Sequence, residues 1–418
     1  MKRKLVVLIL SLTLTHLLLF PASGSEPIVS AEITQRVSDH FDGNLYFNPG
    51  ISQPSPGSEP KRSRPSWIWR FMFGNEWPEW PEVKDMTPGQ PSAVRVPIGV
   101  LSVIPVGHAT FLIQMDGLNI LTDPIWSDRC SPVSWAGPKR HREPGIRFED
   151  LPAIDLVLVS HNHYDHLDLP TLSRLAERGT AKAIAPLGNL ALVRGAGLSS
   201  VKELDWWQSV RISPDVTITL VPAQHFSSRT LWDRNRTLWG GFVVSGPAGN
   251  VFFAGDTGYG PHFREIARLF SPIRAALLPI SPFRPQRFQG PLPYSSGVHM
   301  GPAEAVQAHL DLGAQLSIAS HFQVFQLGAD GFEDAVNELV ATLPARNLKP
   351  DAFLAPMPGS AIMLTKTPPE NRRSATPRYL RPESINGRQT PRPMFTMLLA
   401  RTVQHSRRRI TGRSRSSI

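Results

Sequence analysis

The sequence predicts an α/β fold, in which β-sheets are covered by helices. Two observations support this prediction. Short runs of β-branched and leucine-rich residues alternate with segments whose apolar residues recur at helical spacing. In addition, residues of the types that bind metal ions follow directly after four of these runs, at the strand ends where α/β proteins commonly form their sites.

The predicted strands begin near Val96. The stretch GVLSVIPVGHATFLIQMDGLNILTDP predicts successive strands with a turn at Asp116–Gly117. Further strands are predicted at IDLVLVS, AKAIAPL, VTITLVPA, GGFVVSG, NVFFAGD, AALLPIS and LSIASHF. Helical patterns lie between several of them, at LPTLSRLAERG, HFREIARLFS, GPAEAVQAHLDLG and GFEDAVNELVATL. This alternation predicts sheets that carry helices on their outer faces.

Seven histidines and aspartates follow four of the predicted strands. They are His161, His163, Asp165 and His166 after IDLVLVS, His225 after VTITLVPA, Asp256 after NVFFAG, and His321 after LSIAS. A single histidine of this kind is usually structural, but the ordered set indicates a metal centre, because unpaired buried polar groups each cost about 2–7 kcal/mol. Imidazole and carboxylate ligands without thiolate suit Zn²⁺ best, with Fe or Mn as alternatives.

These motifs resemble a known family. HNHYDH, His225, GDTGY and His321 resemble the signature of the metallo-β-lactamase fold. DHFDGNLYFNPG, GHATFLIQMDGLNILTDPIWSDRCSP, ELDWWQS, GDTGYGPHF and HMGPAEAV are similar to the branch of N-acyl-phosphatidylethanolamine-hydrolysing phospholipases D. The resemblance covers roughly residues 36–355 and implies a four-layer αββα sandwich with two zinc ions between its sheets.

The resemblance also implies roles for individual residues. His161, His163 and His225 would hold one zinc ion, and Asp165, His166 and His321 the other, with Asp256 bridging them. A hydroxide between the ions would attack the phosphorus of a phosphodiester. The catalytic residues would be Asp256, Asp165 and His299, the last contacting the phosphate or the leaving group. Asp123 is expected to orient a ligand imidazole, and His108 either does the same or is structural.

Two stretches depart from the family pattern. The last ligand opens the motif HFQVF, where the family usually has HWGTF. The segment SPFRPQRFQGPLPYSSG before His299 is longer and more basic than in relatives. Neither stretch contains a predicted metal ligand, so the departures bear on the substrate rather than on hydrolysis.

The chain divides into four predicted regions. Residues 1–25 have the basic, apolar and small-residue order of a secretory signal peptide, which predicts export to the periplasm or cell envelope. Residues 26–92 form an irregular extension rich in Trp and Pro, and residues 93–365 form the catalytic domain. Residues 366–418 are rich in Arg, Pro and Ser and are predicted to be disordered.

The net charge of +10 is concentrated in this tail. Thirteen of the 44 Lys and Arg residues lie at 366–418 against only Glu370 and Glu383, so the preceding 365 residues are close to neutral. A near-neutral body argues against a nucleic-acid partner. The tail is either a solvated extension or a contact with anionic lipid or nucleic acid. The Trp-rich segment is either a cover on the domain or an apolar surface that enters a membrane or binds acyl chains.

The predicted function is hydrolysis of a phosphodiester, with a phospholipid or a small phosphodiester as substrate. A second interpretation is hydrolysis of another ester, such as a lactone or a cyclic phosphodiester, and a third is a non-catalytic lipid-binding module of the envelope. The chain lacks HxKxxxxD, HExxH and GxSxG motifs, which argues against the other phospholipase D class, the helix-borne zinc proteases and the serine hydrolases.

Overall fold

A computed structural model describes residues 38–49, 77–84, 87–179, 181–230, 232–284 and 297–364. The expected signal peptide at 1–25, the tail at 366–418 and most of the basic segment before His299 lie outside these residues. Within the described ranges, no helix is long and apolar enough to cross a membrane.

The described elements alternate as the sequence predicts. In chain order the strands are β1 (Leu101–Gly107), β2 (Thr110–Met115), β3 (Leu118–Thr122), β4 (Leu156–Leu158), β5 (Lys182–Pro186), β6 (Val201–Leu204), β7 (Ser209–Arg211), β8 (Thr217–Val221), β9 (Gly241–Gly246), β10 (Gly249–Phe253), β11 (Ile273–Pro279), β12 (Ser317–Ser320), β13 (Phe353–Leu354) and β14 (Ile362–Leu364). The helices are α1 (Leu169–Glu177), α2 (Leu190–Gly195), α3 (His262–Phe270), α4 (Pro302–Leu312) and α5 (Asp334–Ala345).

The strands form two seven-stranded sheets. One has the order β14-β1-β2-β3-β4-β5-β6, and the other has the order β13-β12-β11-β10-β9-β8-β7. The predicted turn between β2 and β3 is present: Met115 pairs with Leu118, and the intervening Asp116 and Gly117 have φ angles of 50° and 82°. Positive φ at both central residues is what a two-residue hairpin with a type I′ turn requires.

Four layers follow from where the apolar side chains lie. The inner faces of both sheets share one core, which includes Leu101, Phe111, Phe242 and Phe253. A second core lies between the first sheet and helices α1 and α2, and a third lies between the second sheet and helices α3, α4 and α5. The predicted αββα sandwich is confirmed.

The sheet directions bring the ends of the ligand-bearing strands together. Strands β10, β11 and β12 run parallel, and β8 shares their direction because both β8 and β10 pair antiparallel with β9. In the first sheet, β3 and β4 run parallel. The segments that follow β3, β4, β8, β10 and β12 therefore converge at one end of the sandwich.

Six short elements escape the sequence analysis: a single 3-10 turn at Phe148–Asp150, and α2, β6, β7, β13 and β14. Each has six residues or fewer, and β6 reads VKEL and β7 reads SVR, with charged residues in both. Segments this short lack a readable period, and most of them exist because a neighbouring strand pairs with them.

One member of the Trp-rich segment lies on the domain surface as a cover. Trp80 is 7% exposed, its Nε1 donates to the Asp330 carbonyl at 2.8 Å, and its ring packs edge-on against His141 and Phe332. For Trp80 the packing interpretation fits. Trp67, Trp69, Phe71 and Phe73 lie outside the described residues.

Candidate metal centre

Three histidines from two loops form the first group of the site. His161 and His163 follow β4, and His225 lies four residues beyond β8. The His163 Nδ1 lies 2.8 Å from the His161 Nε2 and 3.3 Å from the His225 Nε2. Three imidazole nitrogens that face one another can hold a metal ion, and we call this set the three-histidine group.

The second group contains a carboxylate and is built from three segments. The Asp165 Oδ2 lies 2.9 Å from the His108 Nε2, and 3.2 Å from the Nε2 atoms of both His166 and His321. These four residues are buried or nearly so. Each offers one ligand atom, and the four ligand atoms all lie within 4.8 Å of one another. We call this set the carboxylate group.

Asp256 lies between the two groups. Its Oδ2 is 3.1 Å from the His321 Nε2, 3.3 Å from the His166 Nε2 and 3.8 Å from the His225 Nε2. The turn that presents Asp256 requires glycine at 255, where φ is 60° and an added Cβ would lie 2.6 Å from the Ser160 Cβ. One carboxylate oxygen thus faces ligand atoms from both groups.

Asp123, which follows β3, is fully buried behind the ligands. The His166 Nδ1 donates to its Oδ2 at 2.6 Å, and Ser160 donates to the same carboxylate from both its backbone N and its Oγ. The His161 Nδ1 in turn lies 2.9 Å from the Ser160 Oγ. Hydrogen bonds of this kind fix the tautomer and leave Nε2 free to bind a metal ion.

His225 and His299 lie next to each other at the site. The His225 Nδ1 donates to the Val298 carbonyl at 2.7 Å, which leaves its Nε2 facing the three-histidine group. The His299 Nδ1 lies 3.7 Å from the Asp256 Oδ2, and its ring centroid lies 5.0 Å from that of His225. The structure therefore brings every predicted ligand, together with Asp123, His108 and His299, to one place.

The backbone bends sharply where the two sheets meet at the site. His108 and His321 have φ angles of 56° and 61°, in the left-handed region, and the His321 N donates to the His108 carbonyl at 2.9 Å. Residues other than glycine adopt this conformation at a cost of roughly 1–2 kcal/mol. Such strain is typical of functional sites, where the surrounding structure holds it in place.

The donor set fits a metal ion. Within the described part of the chain, the Asp256 Oδ1 is buried and lacks a hydrogen-bond partner, and the buried His166 Nε2 makes no well-aligned hydrogen bond with the Asp165 and Asp256 Oδ2 atoms 3.2 and 3.3 Å away. Both belong to residues that face the space between the groups. A cation there would satisfy both residues, because Zn²⁺ binds imidazole nitrogen and carboxylate oxygen. The two groups are consistent with a binuclear metal site.

The two groups differ in their protonation. Burial lowers the pKa of His161 well below its ordinary value and lowers those of His163 and His225 to about 3, so all three are neutral at pH 7. Burial also lowers the pKa of His299 to about 3. Neutral imidazole is the form that binds metals.

In the carboxylate group, the negative charges of Asp165 and Asp256 oppose burial at His166 and His321, whereas burial prevails at His108 and lowers its pKa to about 3. Burial acts to lower the pKa of His321, but Asp256 and Asp165 outweigh it and raise this pKa to about 9. The pKa of His166 is likewise raised, because Asp256 and Asp165 outweigh burial. In turn, the pKa values of Asp165 and Asp256 lie well below the ordinary value, because the facing imidazoles outweigh burial.

The sequence analysis did not identify the residues that hydrogen-bond to the loop after β4, which carries His161, His163, Asp165 and His166. The Arg229 Nη1 donates to the carbonyls of Asn162 and Leu167 at 3.0 and 2.8 Å, and its guanidinium lies 4.0 Å from the Tyr164 ring centroid. The Ser228 N donates to the Asn162 Oδ1 at 2.9 Å. Only the position of Ser228 and Arg229 shortly after His225 hints at this role.

Comparisons with known proteins agree with this geometry. Residues 118–322 match the Beta-lactamase superfamily domain. An uncharacterized protein of Mycobacterium tuberculosis is 37% identical over 277 residues, which are 65% of this chain and 71% of that protein. The N-acyl-phosphatidylethanolamine-hydrolyzing phospholipase D 1 of Caenorhabditis elegans is 36% identical over 249 residues, which are 56% of this chain and 68% of that protein.

Among solved structures, a possible metal-dependent hydrolase from Veillonella parvula matches with a TM-score of 0.50 and 14% identity. The match covers 63% of this chain and all of that one, and it supports the fold alone. The sandwich, the ordered ligands and these relatives point to the same conclusion: the chain belongs to the metallo-β-lactamase superfamily.

Proposed function

We propose that the protein is a zinc-dependent phosphodiesterase of the phospholipase D type, which acts on N-acyl-phosphatidylethanolamine-like phospholipids. The observation that carries this proposal is a complete, buried set of ligands in a chain that is 36% identical to an enzyme of that named activity. The Trp-rich segment and the basic tail are proposed contacts with the membrane surface that holds such a substrate.

The three-histidine group and the carboxylate group would each hold one Zn²⁺, with Asp256 contributing to both. When bound, such ions lower the pKa of a water molecule toward 7 and neutralise charge on phosphoryl oxygens. The protein's own part is to hold the donors in place. Asp123 and Val298 fix the tautomers of His166 and His225, and His108 holds the Asp165 carboxylate at 2.9 Å.

His299 is the proposed substrate-contacting residue. It is 8% exposed, lies beside Asp256 and His225, and its lowered pKa keeps it neutral at pH 7. A neutral imidazole can donate a hydrogen bond to a phosphoryl oxygen or pass a proton to the leaving alkoxide. Replacing it by Ala should therefore reduce kcat more than metal content.

The proposal includes the compartment. Export through the signal-like residues 1–25 would place the protein in the periplasm or envelope, next to phospholipid. A fusion of residues 1–30 to a reporter tests this. A reporter recovered in the cytoplasm with its N-terminus intact would contradict export.

The substrate is tested by one screen of the zinc-loaded protein. N-acyl-phosphatidylethanolamine in mixed micelles, a simple aryl phosphodiester, a lactone and a β-lactam are supplied in parallel, with a chelator-treated sample as control. We expect N-acylethanolamine and phosphatidic acid as products from the lipid. Turnover of the lactone alone would favour the other ester-hydrolase interpretation, and lipid binding without turnover would favour a non-catalytic module.

A further inference from the structure

Asn48 lies in the N-terminal segment 38–49, which precedes the matched superfamily domain, and its side chain is buried. Its carboxamide contacts the backbone of His225 twice. The Asn48 Nδ2 donates to the His225 carbonyl at 2.8 Å, and the His225 N donates to the Asn48 Oδ1 at 3.2 Å. The Trp239 Nε1 donates to the same Oδ1 at 3.3 Å.

These contacts occur just beyond the last backbone pairing of this segment. His225 lies four residues after the end of β8 and directly after an isolated bridge between Gln224 and Gly258, and its own backbone takes no part in the β8–β9 ladder. A side-chain amide that offers one donor and one acceptor replaces the partner that a neighbouring strand would provide. Since the imidazole of His225 also donates a hydrogen bond to the Val298 carbonyl, both the backbone and the ring of His225 are fixed.

The segment that carries Asn48 is itself anchored to the domain. The His40 Nε2 lies 2.9 Å from the Asp205 Oδ1, and the His40 ring stacks on Trp206 with centroids 3.9 Å apart. The Tyr46 N donates to the Asn235 carbonyl at 2.8 Å. Because both ends of the segment are attached, the position of Asn48 is defined rather than adventitious.

We propose that Asn48 is a positioning residue for His225, through which the N-terminal segment sets the affinity of the three-histidine group for its metal ion. The inference rests on the proposed metal centre. Changes to residues that orient metal ligands typically reduce affinity by about 10- to 100-fold. Because the hydrogen bonds of Asn48 to the proposed ligands, all of which lie in the described residues, go to His225, the carboxylate group should keep its affinity.

The test compares Asn48→Ala with Asn44→Ala. Asn44 lies in the same segment with an exposed side chain, so its replacement controls for a general effect of the substitution. The two stepwise zinc dissociation constants of each metal-free protein are measured by competition with a chromophoric chelator. His163→Ala and His321→Ala show which constant belongs to which group. Circular dichroism of the metal-free proteins reports whether each variant folds.

We expect Asn48→Ala to weaken the constant of the three-histidine group about 10- to 100-fold and to leave the other within twofold, with Asn44→Ala unchanged. If Asn48→Ala does not fold, Asn48→Asp replaces it. Asp keeps the acceptor for the His225 N and puts an oxygen against the His225 carbonyl, so the same selective loss is expected.

The inference is overturned if both constants stay within twofold of wild type, or if both weaken equally. A wild-type protein that binds two zinc ions but cleaves no phosphodiester would refute the proposed activity and leave the role of Asn48 intact. A wild-type protein that binds no zinc would refute both.

Discussion

The two groups of the metal centre differ in their ligand types and in the pKa values of their imidazoles. The three-histidine group consists of buried neutral imidazoles, because burial lowers the pKa of His163 and His225 to about 3 and lowers that of His161 well below its ordinary value. The carboxylate group pairs Asp165 with His166 and His321, and the pKa values of these two imidazoles are raised, to about 9 for His321. The imidazoles of the first group are already neutral at pH 7 and can bind a cation directly. In the second group, a cation must first displace protons from His166 and His321.

This difference shows how one end of a fold can present two unlike sites. In the first group, desolvation keeps the ligands neutral. In the second, Asp256 and Asp165 outweigh burial and keep His166 and His321 protonated, whereas burial keeps His108 neutral with a pKa of about 3. Asp256 faces both groups, so changing it should affect the centre most.

The largest effect is expected from Asp256→Asn. The amide keeps the volume but removes the charge that faces both groups, so the protein should retain at most one tightly bound zinc ion. Hydrolysis should fall roughly 100- to 1000-fold or more, the loss typical of removing one electrostatic contribution to catalysis. Metal content and initial rates measure the two effects, and unchanged turnover would rule out the shared role of Asp256.

A smaller effect is expected from Asp123→Asn. Its carboxylate accepts from the His166 Nδ1 at 2.6 Å, whereas its hydrogen-bonded link to His161 runs through Ser160. Zinc affinity of the carboxylate group should fall about 10- to 100-fold, with a lesser loss in the three-histidine group. Stepwise zinc titration measures both, and Asp128→Asn, an exposed neighbour, is the control. An equal loss in both groups would show that Asp123 does not act mainly through His166.

The next largest effect is expected in the pH dependence of zinc affinity, which should differ between the two groups. Since the pKa of His321 is raised to about 9, the residue is protonated below that pH without metal, and zinc must displace this proton. Affinity of the carboxylate group should therefore fall about tenfold per pH unit per displaced proton as the pH drops below 9. The three-histidine group, with pKa values of about 3 for His163 and His225, should be constant from pH 8 to pH 5.

Calorimetric titration of zinc in buffers of different ionisation enthalpy counts the protons released in each step. The expected result at pH 7 is release in the carboxylate group and none in the three-histidine group. Equal release in both steps would contradict the contrast between them.

The smallest effect concerns Gln323, which stands where the family motif HWGTF has glycine. Gln323 has a φ of 57°, is 1% exposed, and neither polar atom of its amide has a hydrogen-bond partner within the described part of the chain. Gln323→Gly removes backbone strain of about 1 kcal/mol and an unpaired buried amide, but loses packing. The net change in unfolding free energy should stay within about 2 kcal/mol.

Gln114→Gly is the matched comparison. Gln114 is fully buried in β2, and its amide nitrogen, Nε2, donates to the Ala93 carbonyl and the Asn119 Oδ1. Its replacement should cost more than that of Gln323, because satisfied hydrogen bonds are lost. Urea unfolding of both variants tests this, and an equal cost would show that Gln323 is not strained.

The sequence predicts features that depend on residues close to one another along the chain. The run IDLVLVS followed by His161 predicts a strand that ends at a ligand loop, and β4 ends three residues before His161. Asp116–Gly117 predicts the hairpin turn because few other pairs accept positive φ at both positions. Asp123 could be placed near the ligands because it ends the strand before them.

The sequence was uninformative where contacts join distant segments. Asn48 and His225 are 177 positions apart, and nothing in DHFDGNLYFNPG identifies which side chain reaches a ligand. The same holds for Arg229, whose role depends on the carbonyls of Asn162 and Leu167. Backbone carbonyls carry no residue-type signal, so the Val298 contact with His225 becomes visible only in the fold.

The most direct test of the central claim is the zinc content of three reconstituted proteins after dialysis against zinc-free buffer. Wild type should retain two equivalents, while His163→Ala and His321→Ala should each retain one, since each lacks a ligand of a different group. Two equivalents in both variants, or fewer than one in wild type, would contradict a centre made of two unlike halves.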